Sequence, residues 1–365
     1  MINLDFMPSR KLSLYLAKLF LTRTLAVLFM LVLVLMALDL LGESGKILAV
    51  KGNGQADLWH YVTLRVPLLI QRFLPFSALL GTLIVFTSLN QHSEVIAMKA
   101  AGLSAHQILA PLIVASLGMA IAAFAFNEGV AVNSARTVNA WSGNDYKPIR
   151  ASNGVQSDVW LLVGDDYVHS RVVTGRGTSL QLDGITIYDR AGGALQQVIN
   201  ADRAKQAGGG WQLENVSTYN TRMSVVRHEK TLNVLRGVTP DRFTLAKVNP
   251  DERGFLSLKQ DIDDLEAAGR PSEEARAGLW HKFSGPLSVV LMPLLAAIAA
   301  FGLARSGQVL LRAVAGMALG FTYFVIDNLS LALGNVGAYP AWLAAWAPFV
   351  LFLLIGEAVL VRSEE

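Results

Sequence analysis

Gly42-Glu43-Ser44-Gly45-Lys46 is the segment of this chain closest to a nucleotide-phosphate loop, and it does not qualify. Such a loop needs Gly five residues before its second Gly, where Leu40 stands, and Ser or Thr after the Lys, where Ile47 stands. The six histidines, His60, His92, His106, His169, His228 and His281, are scattered, with no HExxH and no pair at ligand spacing. No metal centre is expected from them. A GxSxG nucleophile elbow is also missing. Asp39 and Asp327 are the one carboxylate pair to weigh for intramembrane catalysis, and no matching motif surrounds either. The expectation is no catalytic residue, no metal and no cofactor, so that any uphill work draws its energy from another subunit. Arg72 offers a different chemistry, because a guanidinium can hold phosphate through two parallel hydrogen bonds.

These residues sit in or beside long apolar runs. A bilayer core of ~30 Å needs about 20 apolar residues. Six stretches meet that length: Leu19–Leu41, Leu68–Leu89, Ile108–Phe126, Phe283–Ala304, Val309–Leu333 and Trp342–Val361. The first is too long and too charged at both ends for a cleaved signal peptide, and it reads as a retained span. Asp39, Arg72 and Asp327 are costly at membrane depth and are functional candidates for that reason. Glu357, near the end of the sixth span, is read as reaching the interface. Pro286 and Pro293 predict a kink in the fourth span. Gly316 and Gly320 form a small-xxx-small helix contact in the fifth.

Orientation follows from the basic residues of the short segments. Arg10, Lys11, Lys18 and Arg23 precede or open the first span, Lys99 separates the second and third, Arg305 and Arg312 lie around the fourth-to-fifth connection, and Arg362 ends the sixth. That side is predicted cytoplasmic, with both termini on it. The opposite side balances Lys46, Lys51 and Arg65 against Glu43 and Asp57. A chain with no Cys needs no disulfides there, which suits a bacterial periplasm. The net charge of +3 gives no reason to expect a nucleic-acid partner.

The domains read as an N-terminal membrane half over 1–140, a β domain over 141–250, a polar and partly helical linker over 251–280, and a C-terminal membrane half over 281–365. Within the β domain, Asp158–Val163, Tyr167–Val173, Ile185–Tyr188, Leu195–Asn200, Trp211–Tyr219 and Leu232–Leu235 are short β-rich runs. Gly164-Asp165-Asp166, Asp189 to Gly193 and Gly208-Gly209-Gly210 separate them as turns. This spacing predicts an antiparallel sandwich or jellyroll. Leu256 to Ala277 reads as a polar helix leading back to the membrane.

Between the second and third spans the punctuation predicts a helix of about two turns, Glu94 to Ala101. Ser93 is read as its N-cap, Gly102 as its left-handed stop, and Ser104 to Gln107 as the capping box that opens the third span. An element this short does not fold alone and needs the membrane surface or a partner. Val95, Ile96 and Met98 are its apolar anchors, and Glu94 and Lys99 its charges.

Several segments together, in order and spacing, resemble the LptF/LptG family of lipopolysaccharide-export permeases over nearly the whole chain. They are Val66-Pro67, Phe73-Leu74-Pro75, Ala78 to Gly81, Ser93-Glu94-Val95, Ala101-Gly102-Leu103, Gly184 to Tyr188, Leu256-Ser257-Leu258, Pro286 to Val289, Gly320-Phe321 and Val325-Ile326-Asp327. Gly184 to Tyr188 and Val325 to Asp327 favour the second-named branch over its sister.

The resemblance implies a polytopic α-helical membrane protein of six spans, arranged three and three, with an inserted all-β periplasmic jellyroll, in the bacterial inner membrane. It implies a sister permease of the LptF type, a cytoplasmic LptB-type ATPase dimer, LptC-type and periplasmic LptA-type jellyroll proteins, and lipopolysaccharide as substrate. The short cytoplasmic helix becomes the coupling helix, with Glu94, Val95, Met98 and Gly102 meeting the ATPase and Glu94 pairing with a basic residue there. The first and fifth helices become gates, and the jellyroll shields acyl chains.

The chain departs from the family around the outer end of the first helix, where lysines for lipid phosphates give way to Met36, Gly42 and Glu43. After the third span, Asn139 and Ser142 stand where arginines are expected. Lys46, Arg72 and Arg136 are expected to supply the positive rim instead, with Phe73, Phe76 and Asp327 at the substrate surface. Two other classes fit less well. A membrane-anchored periplasmic sensor would carry a cytoplasmic output domain, and an intramembrane enzyme would carry a paired catalytic motif.

Overall fold

A computed structural model describes residues 7–147, 156–175, 179–191, 194–221, 225–240, 243, 248–267, 271–301 and 309–362. The chain falls into two compact units. The first comprises Met1–Asp39, Val66–Ala131 and Pro271–Glu365, and the second comprises Leu40–Arg65 and Val132–Arg270.

The elements of the first half are α1 (Arg10–Leu48), α2 (Gln55–Gln91), α3 (Glu94–Ala100), α4 (Ala105–Phe126), a π-turn at Asn127–Ala131 and α5 (Val132–Gly143). After the sheet come a 3₁₀ turn at Pro250–Glu252, α6 (Phe255–Ala267), α7 (Glu273–Phe301), α8 (Val309–Asn335) and α9 (Ala341–Arg362). Five apolar segments, in α1, in α2, in the run Ala105–Gly143, in α8 and in α9, are long and apolar enough to cross a membrane over described residues. The fourth span was expected to end at Ala304. Its helix α7 is described to Phe301, and residues 302–308 lie outside the described residues.

In the helical unit α7 packs against α4, α8 and α9. Small residues let backbones approach, because a Cβ on Gly320 of α8 would strike the Leu79 side chain of α2, and one on Gly81 would strike Thr24 of α1. On α1, Leu16, Phe20, Thr24, Leu28, Val32 and Met36 are buried at four-residue intervals, while Phe29, Met30, Leu33 and Leu38 face outward. An apolar face left bare on a helix this long suits lipid or another apolar chain far better than water. The expected polar helix from Leu256 to Ala277 is not one element. Described helix stops at Ala267 and resumes at Glu273 after Pro271, which lacks the N–H that a continuing helix needs.

Among the described residues the second unit holds six strands: β1 (Gln156–Val163), β2 (Asp166–Thr174), β3 (Gln181–Ala191), β4 (Ala194–Ala207), β5 (Gly210–Asn220) and β6 (Val225–Val234). They form one antiparallel sheet in sequence order. One face covers a core in which Trp211 is fully buried, donates its indole N–H to the Val238 carbonyl at 2.9 Å, and meets Phe243 edge-on at 4.9 Å. The indole is thereby buried without an unpaired donor.

A crease crosses all six strands. Between regular pairs, the ladders skip Asp158 and Arg171, then Arg171 and Gly184, Gly184 and Asp202, Asp202 and Asn215, and Asn215 and Lys230. Asp158, Gly184 and Asn215, on alternate strands, are left-handed with φ of 56°, 63° and 57°. These residue types tolerate that region best. Each strand gains one residue at the crease, so its inward period slips by one: Leu182 then Ile185 and Ile187, Ile199 and Ala201 then Ala204, Trp211 and Leu213 then Val216. In β2 to β5 both halves of the strand therefore present apolar side chains to the same core.

Candidate functional site

The corner between α2 and α4 is built by three backbone devices. Ser93 reverses the chain at φ 59° and makes no side-chain cap, which corrects the N-cap expected of it. A left-handed Ser points its hydroxyl away from the amides that an extended N-cap residue would meet. Gly102, at φ 87°, closes α3 with the paired bonds of a Schellman motif, Leu103 N–H to the Met98 carbonyl at 3.1 Å and Gly102 N–H to Lys99 at 2.9 Å. Ser104 and Gln107 then form a reciprocal capping box on α4. These devices hold a helix of only 7 residues that could not persist alone.

The two faces of α3 are distinct. Val95 and Met98, one turn apart, are buried within the chain. These two residues, expected at the ATPase contact, turn inward in this chain and anchor α3. Ile96 is 66% exposed, and Ala97, Lys99 and Ala100 share its outward side. Glu94 is half-buried and accepts from the Tyr15 hydroxyl of α1 at 3.1 and 3.3 Å to its two oxygens. A neutral donor leaves the carboxylate its charge, so the outer face offers an apolar knob and a cation beside an oriented anion. Nearby, His106 of α4 lies 3.3 Å from Glu357 of α9.

At the opposite end of the helical unit, consecutive residues of α7 reach two neighbours. Lys282, buried, binds Glu128 in the π-turn at 2.9 Å, and His281 lies 3.2 Å from Asp327 of α8. Phe283 stacks on Phe124 of α4. Asp327 is thus part of a helix-to-helix contact. Arg72 is exposed, while Phe73 and Phe76 are half-buried on α2.

Two members of the expected positive rim lie in the second unit with partners there. Lys46 pairs with Glu43 at 2.8 Å. Arg136 turns to the Glu252 carbonyl, at 2.9 Å from Nη2 and 3.3 Å from Nε, and Asn139 donates to the Glu252 carboxylate at 2.8 Å. Arg136 therefore ties α5 to the 3₁₀ turn. On the outer side of the sheet a polar cleft of about 530 Å³ follows the crease, lined by Arg171, Asp183, Arg203 and Glu214 among others. The hydrogen bond from Lys205 holds the Glu214 carboxyl below the ordinary carboxylate range against desolvation, with the Lys205 and Arg203 charges adding to it. Among the described residues no cluster of three or more His, Asp or Glu could hold a metal ion.

Tyr15, Glu128 and Lys282 were not among the expected site residues, and Ile96 was read as an apolar anchor of α3 but not as an ATPase contact. Only Ile96 left a signal, since it lies off the face that Val95 and Met98 share at helical spacing.

Long apolar helices around a central α7, a capped two-faced corner helix and an inserted creased antiparallel sheet define a polytopic helical membrane protein with a spliced β domain. The profile of the family described as lipopolysaccharide export system permease LptF/LptG matches residues 14–362. The chain belongs to that family. Among curated relatives, the lipopolysaccharide export system permease protein LptG of Escherichia coli strain K12 is 27% identical over 369 residues, spanning 98% of this chain and 99% of the relative. The protein of the same name from Haemophilus influenzae is 27% identical over 330 residues, 86% of this chain and 89% of its own length. Both carry the name of the branch favoured by Gly184 to Tyr188 and Val325 to Asp327.

Proposed function

We propose that this chain is a permease subunit of a lipopolysaccharide export transporter. The observation that carries the reading is family membership over residues 14–362. In this reading the chain sits in the bacterial inner membrane with both termini and α3 in the cytoplasm and the sheet in the periplasm. A separate ATPase supplies the energy, and an LptF-type sister subunit completes the lipid path, with LptC-type and LptA-type proteins receiving the lipid beyond.

The outward face of α3 supports the coupling role. Ile96 gives an ATPase groove an apolar contact, and Glu94, oriented by Tyr15, meets a cation of that subunit. Arg72, Phe73 and Phe76 are proposed to meet the glycolipid, its phosphate and acyl parts respectively. The sheet's apolar face, closed around by the crease, suits the shielding of acyl chains.

The test is affinity purification of the tagged chain from mild detergent, comparing the parent with Glu94→Arg. Recovery of an ATPase and a second permease with the parent, and loss of the ATPase alone with the variant, supports the reading. A parent that purifies by itself counts against it.

A further inference from the structure

The turn that ends α5 contains two adjacent left-handed residues, Asp145 at φ 51° and Tyr146 at φ 58°. Neighbouring non-glycine residues hold that conformation only where their surroundings over-determine it. The surroundings are specific. Tyr146 is buried, donates its hydroxyl to Glu43 at 2.7 Å, and accepts at its carbonyl from Asn53 Nδ2 at 2.9 Å. The same Asn53 amide also donates to the Ile47 carbonyl at 3.1 Å. The Tyr146 ring meets Trp141 and Tyr61 edge-on at 5.2 and 6.1 Å. One residue therefore fastens the end of α1, the turn before α2, and α2 itself.

Asp145 faces the other way. Its carboxylate accepts from Arg171 Nη1 at 3.0 Å, with Lys147 as a weaker second cation at 3.8 Å. Arg171 belongs to the crease, and its guanidinium lies over Gly184, where a Cβ would collide with it. Asp145 is largely open to water and Arg171 half-buried, so the pair adds little as glue. A contact of this kind can open and close readily, and its use is to set which arrangement of the crease is populated.

We propose that Asp145 and Tyr146 form a positioning clasp that fixes the crease of the sheet to the α1–α2 corner, so that movement of that corner changes how far the sheet is folded. The proposal deepens the transport reading and rests on it, since folding of the sheet is what would admit or hold an acyl chain.

The chain has no Cys, so single cysteines at Lys51, in the α1–α2 turn, and Gln212, exposed on β5, take spin labels cleanly in the full-length protein within its complex. The parent gives one narrow distance population. Arg171→Ala and Tyr146→Phe each widen it about twofold, Arg171→Lys keeps the parental width, and the widened variants release several-fold less lipopolysaccharide per ATP hydrolysed. An unchanged width in Arg171→Ala, a half-buried surface position on β2, overturns the clasp even where Tyr146→Phe fails to fold. A widened population with parental release per ATP overturns it too. A parent complex that releases no lipopolysaccharide counts against the transport reading, and the widths alone then decide the clasp.

Discussion

The Tyr15 hydroxyl of α1 lies 3.1 Å from a carboxylate oxygen of Glu94, so the helix that opens the chain holds the anion of the corner helix α3. The two residues are 79 apart in sequence, and the contact makes α1 a part of the surface that α3 presents. Tyr15→Phe removes the donor and keeps the ring. The expected result is a folded protein, destabilised by about 1 kcal/mol or less because the pair is exposed, with weakened retention of the ATPase. Glu94→Arg abolishes retention. Quantifying copurified ATPase against the tagged chain checks both.

The opposite faces of α3 separate binding from stability. Ile96→Asp changes an exposed side chain and should leave the melting temperature in detergent within a degree or two of the parent while ATPase recovery collapses. Val95→Ala cuts into a buried contact, costs roughly 1–3 kcal/mol, and should lower the melting temperature with less effect on recovery per folded molecule. Parallel melting curves and pull-downs distinguish the two.

Buried Lys282 and half-buried Glu128 form a pair that ties α7 to the π-turn. Lys282→Ala removes the ammonium that Glu128 meets at 2.9 Å and should cost about 3 kcal/mol, the low end for a broken buried pair because Glu128 keeps some exposure. Replacing both, as Lys282→Met with Glu128→Leu, should recover most of the loss. A double-mutant cycle on thermal stability measures the coupling.

Gly184 carries the crease on β3. Gly184→Ala places a Cβ at φ 63° and against the Arg171 guanidinium, and should destabilise the sheet by about 1–2 kcal/mol from the left-handed conformation alone. Gly118→Ala, on α4 with open space around the added methyl, is the control and should be neutral or slightly stabilising. Hydrogen exchange of β2 to β4 amides in the full-length protein reads the difference.

How much of this was legible in the sequence depends on the range of the interaction. Gly102 and Ser104 act through their nearest neighbours, and the ends they were read to make are the ends observed. Ser93 was misread because a cap depends on φ as well as residue type. Long strands were read as half-strands, Ile185–Tyr188 for Gln181–Ala191 and Leu195–Asn200 for Ala194–Ala207. The alternation that marks a strand slips at the crease, so each run ended where its phase did. Val95, Ile96 and Met98 were read together as apolar anchors, but which of them turns inward depends on the rest of the unit. The partners of Arg136, Lys282 and Glu94 lie 116, 154 and 79 residues away, and nothing in local spacing announces them.

The most direct test of the account is ATP-driven release of lipopolysaccharide from proteoliposomes containing the purified complex to a periplasmic acceptor protein. The account predicts release that requires ATP and is lost in Glu94→Arg while lipid binding persists. Release that proceeds equally without ATP, or survives Glu94→Arg unchanged, would contradict it.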